Sequence, residues 1–446
     1  MNSALPLADT WLRAKYPVAR LLTPGGGLLS GVRRLGAEPT SVDLHACTAH
    51  LGNLTAIYPD IVHSDGSGLA NEIIGGAGAD QDPELAWIRA VMEGAERYAC
   101  MLHLEDEFIT ASAHELGSAA LDLDTVPRCS ARERADPRCL FALPDKAAPI
   151  RWVKGYSLTA RQPRLVPAVM SHLHLRPGQG ENFCDMISTG VAAHFDLEAA
   201  LVSAICESIE RDAIAITWLA QLALPRIEMP VPPPPVLGPN LGRLAQSPLR
   251  HLFFDATTDL GIPTVYALQL LDGHPHLAQY VNCATDFNAA ACAKTIREAA
   301  PARPVFEDGY RYPAEVRDFS ALHDGAAYLG RAAMRHEFDF LVNSGRTRRL
   351  EQVEIAQPQG SGARLRTLIG RLRAMDMEAV AVDLTTDELR ELGVWVVRVV
   401  IPGLMPMSTH YRGRFLGHPR LYDYARKAGR PDFCEDHVNP APQPFA

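Results

Sequence analysis

The clearest chemical potential in this 446-residue chain lies in four glutamates set in two matching phrases. Met92-Glu93-Gly94-Ala95-Glu96-Arg97 and Cys206-Glu207-Ser208-Ile209-Glu210-Arg211 each hold two carboxylates three residues apart, followed at once by an arginine. On a helix this spacing projects both carboxylates from one face, about one turn apart. The residues around both phrases are mostly apolar, where carboxylates are costly unless paired or bound to a cation. Oxygen-only ligands suit a hard cation, and Mg2+ held together with a nucleotide's phosphates is the usual case. The alternative is a pair of helices with solvated Glu/Arg faces. The residues alone leave both readings open.

Both phrases need helices to present them. PELAWIRAVMEGAERYACMLH (83–103) reads as a helix buried over much of its surface, with Pro83 in the first turn. DLEAALVSAICESIERDAIAITWLAQLA (196–223) reads as a longer one, with Asp196 as its N-cap. Each follows a strand-turn signal, SVDLHACTAHLGN (41–53) in the first unit and MISTGVAAHF in the second. A glycine-rich stretch precedes the first helix. Its Gly75-Gly76-Ala77-Gly78 would either cradle phosphate through backbone N–H groups or form a plain turn.

Further along, PRIEMPVPPPPVLGPN reads as an extended surface linker, because proline lacks the N–H and clashes in a helix or central strand. HLFFDATTDLGIPTVYALQLL reads as helix-turn-strand, with the turn at Gly261-Ile262-Pro263. AAACAKTIREAA (289–300) reads as a helix ended by Pro301, and ARLRTLIGRLRAMDM as an amphipathic basic helix with a solvated arginine face. EAVAVDLTT and VWVVRVVIPGL (394–404) read as buried, valine-rich strands. His172 and His174 alternate on an expected strand whose face is polar rather than metal-binding. Helices and strands alternate throughout, so an α/β or α+β fold is expected.

Composition narrows the function classes. The chain is 47% apolar and 21% charged with a net charge of −9, which argues against binding nucleic acid through bulk electrostatics. It has no apolar run long enough for a spanning helix, and its first residues lack a signal-peptide pattern, so no membrane partner and a cytoplasmic location are expected. Nine scattered cysteines without a C-x-x-C pair read as reduced core thiols with a few at the surface.

GAGADQDPELAWIRAVMEGAERYAC and STGVAAHFDLEAALVSAICESIERDAI resemble the two core motifs of the YcaO family. The likeness continues through AAACAKTIREAA, AVDLTTDELRELGVWVVRVVIPGLMPM and RFLGHPRLY. It ends in Pro440-Ala441-Pro442-Gln443-Pro444, close to the Pro-x-Pro-x-Pro terminus of azoline-forming members. The resemblance implies an ATP-binding fold of its own kind, with mixed sheets packed by helices. It covers the chain as residues 1–40, an N-terminal segment, and 41–446, a YcaO domain. That domain has two pseudo-repeated strand-helix units around 41–103 and 185–223, a Pro-rich linker at 225–239 and a Pro-rich tail at 439–446.

The family's functional residues fall on particular positions here. Glu93, Glu96, Glu207 and Glu210 match its Mg2+-ligating glutamates. Arg211 matches its phosphate-contacting arginine, and Glu298 the acid of its third helix. Lys294 stands where arginine is usual, keeping the charge but losing the planar fork. Arg33 is a candidate for an N-terminal phosphate contact, and Ser188 or Thr189 for a polar contact to the nucleotide. Arg89, Ala77 and Pro301 depart from the usual Ser, Lys and Gln.

The implied activity is ATP- and Mg2+-dependent cyclodehydration of Cys, Ser or Thr in a ribosomal precursor peptide. Thioamide or amidine formation and a non-catalytic scaffold role are the alternatives. The tail residues Pro442, Pro444 and Ala446 are expected to reach the ATP site, with the Ala446 carboxylate beside the reacting amide and Phe445 as an apolar anchor. The implied partners are the precursor peptide, a ubiquitin-activating-enzyme-like leader-binding protein, an FMN-dependent dehydrogenase and a second copy of the chain.

Overall fold

The computed structural model describes residues 15–22, 28–36, 44–51, 74–237 and 247–445. Three β-sheets pack with helices in a mixed α/β arrangement. The first sheet runs β1 (Leu29–Arg34), β2 (His45–Leu51), β3 (Ile74–Asp80), all antiparallel. The second starts with β4 (Ile109–Ala111), β5 (Ile150–Ser157), β6 (Gln162–Pro167) and β7 (Val191–His194). The third contains β8 (Arg226–Glu228), β9 (Arg250–Asp255), β10 (Thr264–Leu270), β11 (Gln279–Thr285) and β12 (Thr347–Arg349), in the order β11-β10-β9-β8-β12. Two late strands, β13 (Val380–Asp383) and β14 (Trp395–Val400), complete the second sheet in the order β4-β5-β13-β14-β7, with β6 also paired to β5.

Six helices matter for the site: α1 (Pro83–Met101), α2 (Leu197–Leu219), α3 (Ala290–Glu307), α4 (Leu322–Gly330), α5 (Ser361–Ala374) and α6 (Pro419–Lys427). The sequence caps the first two as expected. The Asp82 side chain accepts from Glu84 N–H at 2.8 Å and Asp196 from Ala199 N–H at 2.7 Å, each satisfying a first-turn donor that has no partner within the helix. Helix α1 packs on β3 and β2 and reaches β7. Helix α2 lies between β14 and β7 on one side and α5 on another, and touches β11. Helix α3 spans from β11 and β10 to β3. Thus β3, β7 and β11, an edge strand of each sheet, are drawn together by three helices.

Several sequence expectations need correction. The glycine-rich stretch is, over its described part, strand β3 rather than a loop. A Cβ on Gly76 would come within 2.5 Å of Gly94 N, and one on Gly78 would strike the Ala86 carbonyl, so these glycines let α1 lie directly on the strand. Residues 250–270 form a hairpin of two strands, not helix-turn-strand. His251-Leu-Phe-Phe is too short for a stable helix and rich in aromatic residues, and β10 is buried on both faces.

Helix α3 does not stop at Pro301 but continues through Pro304 to Glu307. Each interior proline costs about 3 kcal/mol. The extra turns bury Phe306 with Leu277 and Tyr280, and tie Arg303 to Glu307 and Gln269, which offsets that cost. The proline-rich linker contains a short strand, β8, paired parallel to β12, and a 3-10 turn at Pro235–Leu237. Its residues beyond Leu237 lie outside the described residues. His172 and His174 follow a 3-10 turn and are not on a strand. His172 is instead buried edge-on against His103 and Phe108. Residues 41–43, 64–73 and Ala446 lie outside the described residues.

Among the described residues no helix is long and apolar enough to cross a membrane. All nine cysteines are free, and six are buried.

Candidate nucleotide and metal site

The glutamates sit where the three sheet edges meet. A sheet edge carries unpaired N–H groups that need acceptors. Glu93 Oε2 accepts from Ala77 N–H on β3 at 2.9 Å. Glu207 Oε2 accepts from Gly190 N–H, at the entry to β7, at 3.0 Å. Glu210 Oε2 accepts from Thr285 N–H at the end of β11 at 3.2 Å. The Ala193 N–H on β7 supports the charge of Glu96. Each carboxylate is thereby anchored through the backbone of a neighbouring edge strand, with further oxygens left for other partners.

Cationic side chains pair with the same carboxylates. Arg97 bridges Glu93 Oε1 at 2.8 Å and Glu96 Oε1 at 2.6 Å. Arg211 reaches Glu207 Oε1 at 3.4 Å. Lys294, on α3, stands 3.1 Å from Glu210 and 3.5 Å from Glu298. Within this ion-paired set, five carboxylates face three cationic groups, leaving a formal deficit of two positive charges.

Titration behaviour reflects that deficit. Burial, with Glu93 and Glu207 adding to it against Arg97, pushes Glu96 up to about 8. Burial pushes Glu210 up to about 7, with Glu298 and Glu207 adding to it and Lys294 and Arg211 opposing. Burial alone would lower Lys294 and Arg211, but the surrounding carboxylates outweigh it and raise both. Glu207 lies within electrostatic reach of Glu96 on one side and Glu210 on the other, so the two helices feed a single cluster.

Hard oxygen donors with a shortage of positive charge fit a divalent cation. Among the described residues no three acidic, imidazole or thiol groups surround one ion position. Mg2+ takes one or two carboxylates and completes its shell with water and phosphate oxygens.

The other expected site residues fall unevenly. Arg211, Lys294 and Glu298 lie in the cluster. Ser188 and Thr189 form the turn before Gly190, which places Thr189 on the wall of a cavity beside Glu207. Arg33 is exposed on β1 opposite Thr48 and makes no ion pair with the glutamates among the described residues. Arg89 pairs with Asp80 at the end of β3 at 3.2 Å. The sequence reading passed over Arg97, which bridges both α1 glutamates. Its signal was the arginine that directly follows each glutamate pair.

The tail docks into the body of the molecule. Asn439 N–H donates to the Leu219 carbonyl at the end of α2 at 2.9 Å, Tyr411 Oη to the Pro440 carbonyl at 2.6 Å, and Arg414 Nη1 to the Asn439 carbonyl at 2.7 Å. Gln443 runs tightly past Gly325 of α4, where any side chain would strike the Gln443 carbonyl. Pro442 and Pro444 are buried. Phe445 is 2% exposed and stands edge-on to Tyr266 at 5.1 Å. Tyr266 pairs in register with Cys283, which lies within electrostatic reach of Glu210 and Arg211. Phe445, Tyr266 and Cys283 therefore share one face of the third sheet and one apolar core.

Comparison with known proteins follows the same residues. The family model described as YcaO cyclodehydratase, ATP- and Mg2+-binding, matches residues 76–405. The chain belongs to the YcaO family. That family is described as ATP- and Mg2+-binding cyclodehydratases.

Among individual proteins, the chain is 26% identical over 337 residues to an uncharacterized protein in the tfuA 3' region of Rhizobium leguminosarum bv. trifolii, spanning 72% of this chain and 75% of that protein. The fold matches a heterocyclase solved in complex with substrate and cofactor at TM-score 0.78 and 19% identity, over 98% of this chain. This chain spans 57% of that heterocyclase's length. It also matches YcaO from Methanopyrus kandleri bound with AMPPCP and Mg2+ (TM-score 0.62, 16% identity, 90% and 91% of the two chains). A chain of the E. coli microcin synthetase McbBCD complex matches at TM-score 0.57 and 13% identity, over 86% and 90%.

Proposed function

We propose that this chain is the ATP-consuming subunit that closes Cys, Ser or Thr residues of a ribosomal precursor peptide into thiazoline or oxazoline rings. The observation that carries the reading is the cation-deficient glutamate cluster at the meeting of three sheet edges, lined by Arg211 and Lys294.

An amide carbonyl is a poor electrophile, and loss of its oxygen is slow. In the proposed reaction the side-chain thiol or hydroxyl adds to the preceding carbonyl. The oxygen so charged takes the γ-phosphoryl group of ATP as ADP leaves, and phosphate then departs as the ring nitrogen gives up its proton and C=N forms. Mg2+, when bound, neutralises charge on the phosphates during transfer. Glu93, Glu96, Glu207 and Glu210 would hold it. Arg211 and Lys294 supply fixed positive charge that needs no rearrangement during the reaction. Arg97 orients the two α1 carboxylates. Pro442 and Pro444 stiffen the tail, so that little entropy is lost in placing its end, and the Ala446 carboxylate orients or deprotonates the reacting amide.

We assign leader binding to a separate ubiquitin-activating-enzyme-like protein. The matched microcin synthetase chain likewise sits in a multiprotein complex. An FMN-dependent dehydrogenase would act afterwards, on the finished azoline.

The test is mass spectrometry of a precursor peptide incubated with the chain, the leader-binding protein and Mg·ATP. The reading requires loss of one water per ring with one ADP formed per ring. A gain of sulfur in place of oxygen, or no mass change despite nucleotide binding, would replace it.

A further inference from the structure

Among the described residues, Arg398 is a buried charge outside the ion-paired cluster with no ion pair. Arg398 sits mid-strand on β14, paired in register with Val191 on β7 and Val382 on β13 and flanked by buried valines. Its side chain is 7% exposed, and neither Nε nor Nη1 has a hydrogen-bond partner. No carboxylate among the described residues forms an ion pair with it. The titratable groups around it are Cys100, Cys184, His172, Glu207 and Arg97. A buried guanidinium with two of its three nitrogens unsatisfied and no ion pair is unfavourable, which points to a ligand.

Arg398 lines a cavity of about 100 Å³. Thr189 and Ser208 contribute hydroxyls to the wall, and Met405 and Met407 apolar surface. Asp185, the one acid on the wall, is occupied elsewhere. Its Oδ2 accepts from Thr409 N–H at 3.0 Å and from Thr409 Oγ1 at 2.7 Å. Ser208 donates to the Ala204 carbonyl at 3.0 Å, which leaves Arg398 and Thr189 as the donors.

Three attachments join this cavity to the glutamate site. Thr189 precedes Gly190, whose N–H holds Glu207. Ser208 follows Glu207 in sequence. Met407 Sδ lies 3.4 Å from Arg211 Nη1. The cavity is therefore the inner end of the same site, and the segment that follows Met407 carries Tyr411 and Arg414, which hold the tail.

We propose that Arg398, with Thr189, binds a tetrahedral phosphoryl oxyanion at the inner end of the site. This inference rests on the ATP-dependent ring closure proposed above. In that reaction the side-chain heteroatom bonds to the carbonyl carbon and loses its proton. The carbonyl oxygen takes the γ-phosphoryl group as ADP leaves. The amide nitrogen gives up its proton and forms C=N as the C–O bond breaks, and the oxygen departs in inorganic phosphate. Arg398 holds that phosphoryl group while the C–O bond breaks, so charge builds up against a fixed cation rather than in a cavity walled largely by apolar side chains.

The test titrates inorganic phosphate into the full chain loaded with Mg·ADP, by calorimetry, and Mg·AMPPCP separately into the nucleotide-free chain. Loss of a charge-assisted bidentate contact should weaken phosphate binding at least about tenfold in Arg398→Met, while Mg·AMPPCP affinity changes less than about threefold. Arg398→Lys should fall between. Equal phosphate affinity in wild type and Arg398→Met, or no phosphate binding by wild type, overturns the assignment. A crystal structure of the wild type with Mg·ADP and phosphate gives the answer without a variant. Phosphate within hydrogen-bond distance of Arg398 supports it, and phosphate bound only elsewhere overturns it. If wild type fails to bind Mg·AMPPCP, the nucleotide reading itself fails. If it binds Mg·AMPPCP but not phosphate, only the role of Arg398 fails.

Discussion

The two glutamate helices carry the same phrase but are built into the molecule differently. On α1, one residue of the same helix, Arg97, bridges both acids, and Glu93 keeps 35% of its side chain exposed. On α2, Arg211 holds Glu207 loosely, and Glu210, 4% exposed, depends on Lys294 from α3 and Thr285 from β11. The cation that pairs both α1 acids thus comes from α1 itself, whereas the cation on Glu210 of α2 comes from α3. The next residue on α2 extends that pattern. Asp212, fully buried, accepts from Met405 N–H at 2.8 Å and pairs with Arg420 of α6 at 2.8 Å. A repeated motif here supplies two half-sites whose cations come from different sources, and the second is joined through Asp212 to the segment leading to the tail.

That asymmetry can be broken in graded ways. The largest effect is expected at Glu207, which electrostatically joins both halves. Glu207→Gln should keep the fold and lower ATP turnover by about a thousandfold or more, because charge stabilisation at the phosphates is lost. Glu93→Gln should cost clearly less. Equal losses, measured by ADP release, would erase the distinction between the helices.

Stability comes next. Asp212→Ala leaves Arg420 buried with only Asp259 as a partner, and should cost about 3–5 kcal/mol in denaturant unfolding. Removing the exposed Arg89–Asp80 pair by Arg89→Ala should cost under about 1 kcal/mol.

The tail follows. A short polar extension after Ala446 should slow ring formation about a hundredfold by displacing the chain end, with Mg·AMPPCP affinity nearly unchanged. An extended protein that cyclises at the normal rate would show that the tail acts only as packing.

The smallest effect is in pH. Burial raises Glu96 to about 8 and Glu210 to about 7, above the ordinary glutamate value, so the folded chain binds more protons than the unfolded one across that interval. Their contribution to stability is present below the unfolded value and is lost as pH rises through the folded values. The melting temperature without metal should therefore fall between about pH 5 and 8, and Mg·AMPPCP should remove most of that slope. A flat profile without metal would mean that the carboxylates are already ionised and compensated.

Much of this site was legible in the sequence because it lies on two long, capped helices with repeated chemistry. The glutamate pairs, Arg211, Lys294 and Glu298 needed only helical spacing and family resemblance to be picked out. What escaped depends on contacts between distant segments. Gly76 and Gly78 looked like a phosphate loop, yet they are strand residues stripped of side chains so that α1 can lie close. Pro301 looked like a helix end, because the burial of Phe306 that carries the helix onward comes from residues on β11 and its approach. Arg398 looked like one polar residue in a valine-rich strand. Only the packing of β7 and α2 shows that its guanidinium is enclosed and unpaired. Arg33 is a separate case: the resemblance points to it as a phosphate contact, and it stands exposed on β1 opposite Thr48 with no ion pair to the glutamates among the described residues.

The central claim is that the glutamate cluster is completed by Mg2+ carried with a nucleotide. Calorimetric titration of AMPPCP into the full chain, with and without Mg2+, tests it most directly, run for wild type, Glu207→Gln and Glu93→Gln. The account predicts binding that requires Mg2+, releases protons at pH 7, is lost in Glu207→Gln and is weakened in Glu93→Gln. AMPPCP binding that is independent of Mg2+ and equal in all three proteins would contradict it.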